Sequence, residues 1–365
     1  GSGHSYNQGY PEKNNSFSLQ INQPITGLLK NSFKIKQSLN LEEQSKQLLN
    51  SSVINERINA AKSFLTAAQN KEILEISKTK LELYEKQYKD TELLFKSGDK
   101  TKIDLLQMQA ASFKAQADVE NAQTNFKNAL IDLAQVLNLN SAESISLVSE
   151  KRSYVEKKNL SFMPEKDALK KSVESNPNVL ANASLLKAVS AEKTQNIFNF
   201  LPDVYFFAGY MRESASGNQP INSSLPVMNN TTQNTLSYGL NLTWNIWDGG
   251  LVAANQAEIA NRKRTAELDN EKIVKETQGN LTKSYNDFQN QLKVLEHAKL
   301  VVKTNEDVYK LSEIEYHSGQ ENAFDLINVQ NELFSAQVEL VKIRANMDLS
   351  WLNLQAVVGE LPSVL

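Results

Sequence analysis

The chain has 365 residues, a net charge of −3 and no cysteine. These values exclude disulfides, thiolate metal sites and the concentrated basic surface that nucleic acid requires. No apolar run reaches the roughly 18 residues of a transmembrane helix. His4, His297 and His317 are scattered, and no Ser/His/Asp set, phosphate loop or metal cluster can be assembled. No catalytic residue, metal or cofactor is therefore expected, and the chain is not read as an enzyme.

In chain order, residues 1–5 read as a scar of expression and are set aside. Phe17, Leu19, Ile21 and Ile25 then alternate with Ser18, Gln20 and Asn22, the period-two pattern of a strand with one apolar face. No proline interrupts residues from about 28 to 96, and an unbroken helix of about 65 residues would reach roughly 100 Å. Ser97 and Gly98 end it, the glycine suiting a left-handed helix cap. Beyond them, apolar or small residues recur at Leu105, Met108, Ser112, Ala115, Val119, Ala122, Phe126, Ala129, Leu133 and Val136. This 3-4 spacing is a helix-packing seam, and the pair of helices makes a hairpin with a polar tip.

Residues 139–165, with Ser144 to Val148, form a linker. An aromatic-rich strand pattern then runs from Leu201 to Met211. The polar stretch between Met211 and Leu236 reads as a long hairpin loop. Tyr238, Leu240, Leu242, Trp244 and Ile246 alternate with polar or small residues as a third strand. A second proline-free stretch, about 250–317, carries a seam at Leu281, Tyr285, Phe288, Leu292 and Leu295. Ser318 and Gly319 end it, and the last helix reads Leu326, Val329, Leu333, Ala336, Leu340, Ile343, Met347, Ser350, Leu354 and Val357.

The second half thus repeats the first at a fixed offset of 221, without gaps over roughly 120 positions. Phe95, Ser97 and Gly98 return as Tyr316, Ser318 and Gly319; Asp104 returns as Asp325, Gln109 as Gln330, and Phe113 as Phe334. Segments of about ten residues, apolar outward and polar inward with aromatics near their ends, are what outer-membrane barrel strands need. Only a closed barrel satisfies every backbone group of a sheet in hydrocarbon, so three strands imply several chains sharing one barrel. A soluble hairpin is the alternative.

Strand, Gly249 and Gly250, long helix, Ser-Gly tip, Asp six residues later and a heptad helix, repeated, resemble the TolC family of outer-membrane efflux proteins. The likeness runs from about Phe17 to the C-terminus, and Gln23, Pro24 and Ile25, Asn176 and Pro177, and Leu201 and Pro202 also look like family features. The resemblance implies a mainly α fold with a membrane β-barrel part. Long antiparallel coiled-coil hairpins would form a periplasmic tunnel below a trimeric, twelve-stranded barrel. Residues 6–138 would be the first copy, 139–165 an equatorial linker, and 166–360 the second copy with its β-hairpin at 201–247. A complete first copy would open with a helix and strand of which Tyr6 to Tyr10 is the tail, so roughly 45 residues are expected ahead of it.

The implied function is a passive exit duct of an efflux pump or type I secretion system in the bacterial outer membrane. Its expected partners are two further copies, outer-membrane lipid, a periplasmic adaptor (membrane fusion) protein docking on Ser97, Gly98, Ser318 and Gly319, and an inner-membrane transporter reached through that adaptor. At the gate, Asp325 matches a family carboxylate that on a threefold axis becomes an acidic ring. Asn328 stands where a second Asp is usual. Asp325 capping its own helix is the other reading, and both can hold. Glu321 occupies the place of a closure arginine facing Asp104, Tyr316 matches a closure tyrosine, and Lys100 or Lys102 is expected to pair with Glu321. The rival class is a non-channel coiled-coil scaffold or fibre, which would not need detergent.

Overall fold

A computed structural model describes residues 13–142, 145–147, 155, 162–219 and 227–360. The scar and the Tyr6 to Tyr10 strand tail lie outside the described residues, as do Ser144 and Val148 of the linker. The elements are β1 (Lys13–Pro24), α1 (Ile25–Ser97), α2 (Lys102–Val136), α3 (Glu165–Ser175), α4 (Pro177–Ile197), β2 (Asp203–Gln219), β3 (Val227–Thr243), α5 (Leu251–His317) and α6 (Ala323–Val358). They divide into two compact units, residues 1–44 with 183–269 and residues 45–182 with 270–365.

The first unit holds an antiparallel sheet of three strands in the order β1-β2-β3. Its register, with Leu19 opposite Tyr210, Ile21 opposite Ala208, Phe206 opposite Leu240 and Ala208 opposite Tyr238, gathers most of the apolar residues of the three strands on one face. Ser18, Gln20, Asn22, Thr235, Ser237, Asn241 and Thr243 fall on the other, with Tyr205, Phe207 and Met211 among them. The Phe207 ring lies across Gly239, where a Cβ would meet it at 3.0 Å. The apolar face is bare: Tyr238 is 74% exposed, Leu240 68% and Phe17 61%. Among the described residues, both outer strands also have one edge with no neighbour in the sheet.

The strands differ in length from the sequence reading. β2 runs on to Gln219 and β3 begins at Val227, so much of the predicted loop is ladder. The Asn, Ser and Thr residues that read as loop still pair through their backbones, Asn234 with Arg212 and Thr232 with Ser214. At its other end β3 stops at Thr243, and Trp244 Nε1 donates to the Phe200 carbonyl at 3.3 Å. Asp203 anchors β2 to the start of α1, accepting from Lys30 at 2.9 Å and Thr26 at 3.2 Å. Asp248 caps α5 by accepting from the Gly250 and Val252 amides, satisfying donors that a helix start leaves unpaired.

In the second unit the seams pack helix on helix. Leu105, Met108, Ala115, Ala122, Ala129 and Leu133 are buried on α2, and Leu281, Phe288 and Leu295 on α5. On α6 burial extends beyond the expected seam to Phe334, Val341, Trp351, Leu352 and Val358. The reason is a second layer: the Trp351 ring meets Phe288 at 5.3 Å and Phe162 at 5.5 Å, and Val155 and Ala168 join the same core. Between α3 and α4, Asn176 leaves the helical region and its Oδ1 accepts from the Asn178 and Val179 amides, with Pro177 as the first helical residue. Proline suits that place because its missing N–H has no partner there anyway. Gly359 closes α6 at φ 85° against the Ser175 carbonyl, where any Cβ would collide with backbone.

Phe288→Ala is expected to remove about 3–5 kcal/mol, the cost of a buried ring and its cavity. The exposed Leu300→Ala should stay within about 0.5 kcal/mol. Thermal unfolding followed by helical circular dichroism in detergent compares the two; equal midpoints would refute the core assignment.

Candidate gate at the hairpin tips

The two tips turn alike. At the first, the Gly98 amide donates to Phe95 O at 3.2 Å, and the Asp99 and Lys100 amides donate to Leu94 O at 2.8 and 3.2 Å. At the second, Gly319 donates to Tyr316 O at 3.2 Å, and Gln320 and Glu321 donate to Glu315 O at 2.9 and 3.2 Å. Gly98 and Gly319 sit at φ 90° and 79°, where a side chain is strained even though the space around each is open. Ser97 and Ser318 are exposed beside them and return their hydroxyls to the carbonyls of Leu94 and Glu315. Thr101 and Asn322 cap the helices that follow, each accepting from the amide three residues on.

The side chains break this likeness. Asp104 is buried: one carboxylate oxygen accepts from the Thr101 amide at 3.0 Å and hydroxyl at 2.7 Å. The other accepts from the Ala323 amide at 3.1 Å, so a single carboxylate ties the start of α2 to the start of α6. Burial pushes its pKa up, but the Thr101 hydroxyl, the Ala323 and Thr101 amides and the Lys100 charge outweigh that and hold it below the ordinary value of 3.8. Asp325, its counterpart on α6, is exposed and only closes its own cap, accepting from Asn322 Nδ2 at 2.8 Å. Asn328 is exposed on the same helix.

Lys100 crosses from the first tip to the second. Its Nζ donates to Tyr316 O at 2.8 Å and Glu321 O at 3.2 Å, and lies 3.8 Å from the centre of the Tyr316 ring. The expected ion pair with Glu321 is thereby corrected: Lys100 grips the main-chain carbonyl, while the Glu321 carboxylate accepts from Ser312. Lys102 does not pair with Glu321 either; it is exposed, its Nζ 5.3 Å from the Phe95 ring centre. Tyr316 is buried and shares a 2.8 Å hydrogen bond with Thr91, and burial raises the pKa of its phenol. Met108, Tyr316, Ala323 and Leu326 form an apolar core beneath these contacts. The structure therefore brings Asp104, Lys100, Tyr316 and the Glu321 backbone together, and leaves Asp325, Asn328 and Lys102 on the surface.

Among the described residues no group of three or more His, Asp or Glu could hold a metal ion, and no helix is long and apolar enough to cross a membrane. The sequence profile of the outer membrane efflux proteins matches residues 2–139 and 168–360. The chain belongs to that family. It is 22% identical over 290 residues to the alkaline protease secretion protein AprF of Pseudomonas aeruginosa, covering 79% of this chain and 58% of that relative's length. Its fold resembles that of CusC, with a TM-score of 0.80 at 14% identity over 98% of this chain and 81% of the other. The outer membrane protein VceC of Vibrio cholerae gives 0.74 at 12% identity, covering 97% and 87%.

Two residues that bond to the tip contacts escaped the sequence reading, Thr91 and Ser312. The signal was present: they are 221 apart and each stands four residues before an aromatic ring, Phe95 or Tyr316. Asp104→Ala should cost about 1.5–3 kcal/mol, the worth of hydrogen bonds to a charged group. Because the folded-state pKa is lowered, that contribution is complete above the unfolded value of 3.8 and disappears as pH falls through the folded one. The difference in melting temperature between wild type and variant, followed from neutral pH to about pH 3, should shrink only at the acid end. A gap that is constant with pH would show that the carboxylate is not what is lost.

Proposed function

We propose that three copies of this chain assemble an outer-membrane exit duct, their strands together closing one twelve-stranded barrel and the duplicated helical hairpins lining a periplasmic tunnel. The observation that carries this reading is the three-stranded sheet, mainly apolar on one face, mainly polar on the other and, among the described residues, open at both edges. Such a sheet is unsatisfied in lipid until its edges pair, and copies of itself supply matching edges. From Leu236 to Ile246 the alternation spans the roughly 9–11 residues that a tilted membrane strand requires. The name of AprF supports secretion and the family name supports efflux; both use the same passive pipe, powered through an adaptor by an inner-membrane transporter. The adaptor docks at the Ser97–Gly98 and Ser318–Gly319 tips.

At the gate, Lys100 and Asp104 hold the two hairpins of one chain together, and Asp325 supplies one carboxylate per copy to an acidic ring that favours cations. Single-particle imaging in detergent should show threefold tubes, whereas monodisperse monomers stable in plain buffer would favour a coiled-coil scaffold. In planar bilayers, Lys100→Met should raise conductance by releasing the clamp, and unchanged conductance would remove Lys100 from the gate. Asp325→Asn should shift the reversal potential toward lower cation preference; an unmoved potential would leave Asp325 as a helix cap alone.

A further inference from the structure

The duplication sets two clefts at matching places in the helical unit. Asn59, Lys62 and Ser63 of α1 line the first; Asn280, Lys283 and Ser284 of α5 line the second. The two triads are 221 residues apart, an Asn-x-x-Lys-Ser pattern repeated on the two long helices. That spacing puts all three side chains on one helix face. The shorter helices contribute equivalent positions as well. Asp132, Gln135 and Val136 at the end of α2 become Asn353, Ala356 and Val357 at the end of α6. The cavities measure about 480 and 510 Å³, within the range of small-ligand sites. In the second, Asn176 Nδ2 donates to the Val357 carbonyl at 2.9 Å, which holds the start of α4 against the end of α6 as a fixed wall.

Each long helix also brings a carboxylate to its cleft, Glu56 six residues and Glu276 seven residues before the lysine. The rise of a helix separates these charges by about 9–10.5 Å along the axis. Among the described residues neither Lys62 nor Lys283 is in an ion pair, and Glu276 has only Lys272, at 3.8 Å on the surface. Thr277 lines the second cleft while only 6% exposed, and its hydroxyl has no hydrogen-bond partner among the described residues. A buried polar group in that state is costly until something pairs with it. Asn55, Asn280 and Asn353 add side-chain amides, each both donor and acceptor. Phosphate fits poorly, because it would meet Glu56 and Asp132 in one cleft and Glu276 in the other. Neither cleft has an aromatic ring among its described lining residues on which a sugar could stack. We propose that each cleft binds one short peptide with free ends. Its ammonium sits at the glutamate, its carboxylate at the lysine, and its amides against the asparagine side chains. Three extended residues span about 10 Å, which matches the separation of the charges. Both sites lie within a single chain and need no second copy.

Calorimetric titration of trialanine into the detergent-solubilised full chain should find two sites per chain. Lys62→Met and Lys283→Met should each remove one, and the double variant both. Both lysines are exposed, so the helical signal should stay unchanged. Trialanine acetylated at one end and amidated at the other should bind at least about tenfold more weakly, the worth of a charged hydrogen bond. Thr277→Val should weaken the second site about three- to tenfold, whereas Thr277→Ser, which keeps the hydroxyl, should leave it intact. No saturable binding, a single site per chain, or two sites that survive the double lysine change would each overturn the assignment. So would a capped peptide that binds as tightly as the free one, or tighter binding of maltotriose or inorganic phosphate.

Discussion

Heptad-spaced burial holds the helical unit together. Leu281, Phe288 and Leu295 on α5 meet the core that Leu340, Met347 and Leu354 build on α6, each contact repeating two turns from the last. Alanines at Ala115, Ala122 and Ala129 do the same on α2 with less volume, which lets backbones approach. Everything at the tips depends on this regularity. Asp104 can reach the Ala323 amide, and Lys100 the Glu321 carbonyl, only because two seams of equal pitch deliver both hairpin ends to the same level.

The sheet obeys a different constraint. Its backbone is paired internally only along β2, and its apolar residues face outward rather than onto a core. In water that arrangement would expose a broad apolar patch and two templating edges; in lipid the patch is solvated and only the edges need partners. Tyr205 and Phe207 are aromatic exceptions on the otherwise mainly polar face, and the Phe207 ring fills the groove that Gly239 leaves.

Much of this was legible beforehand, because helices announce themselves by what they lack. Two stretches without proline, ended by Ser-Gly, could hardly be anything but long helices, and of the seam residues named from spacing Leu105, Met108, Ala115, Ala122, Ala129, Leu133, Leu281, Phe288 and Leu295 are buried, whereas Val136 is exposed. The polar ends of β2 and β3 were not legible: once Asn, Ser and Thr occupy both faces, period two vanishes although the ladder continues. The breadth of the α6 core was hidden because Trp351 is covered by Phe162 from the linker side, a contact that no local period encodes. At the tips, charge arithmetic offered Lys100 or Lys102 to Glu321; Lys100 reaches that residue, but at its carbonyl. A search for opposite charges finds carboxylates; a carbonyl is present at every residue and leaves no mark in the sequence.

The Thr91–Tyr316 hydrogen bond has a consequence for alignment. A seam that recurs every seven residues is degenerate, because one helix can slide by a heptad and find apolar side chains opposite it again. That slip would separate two hydroxyls that are now paired and buried, stranding polar groups at about 1–3 kcal/mol apiece. The vertical setting of one hairpin against the other is thus fixed by a pair of oxygens, and the greasy contacts around them supply strength without choosing a height.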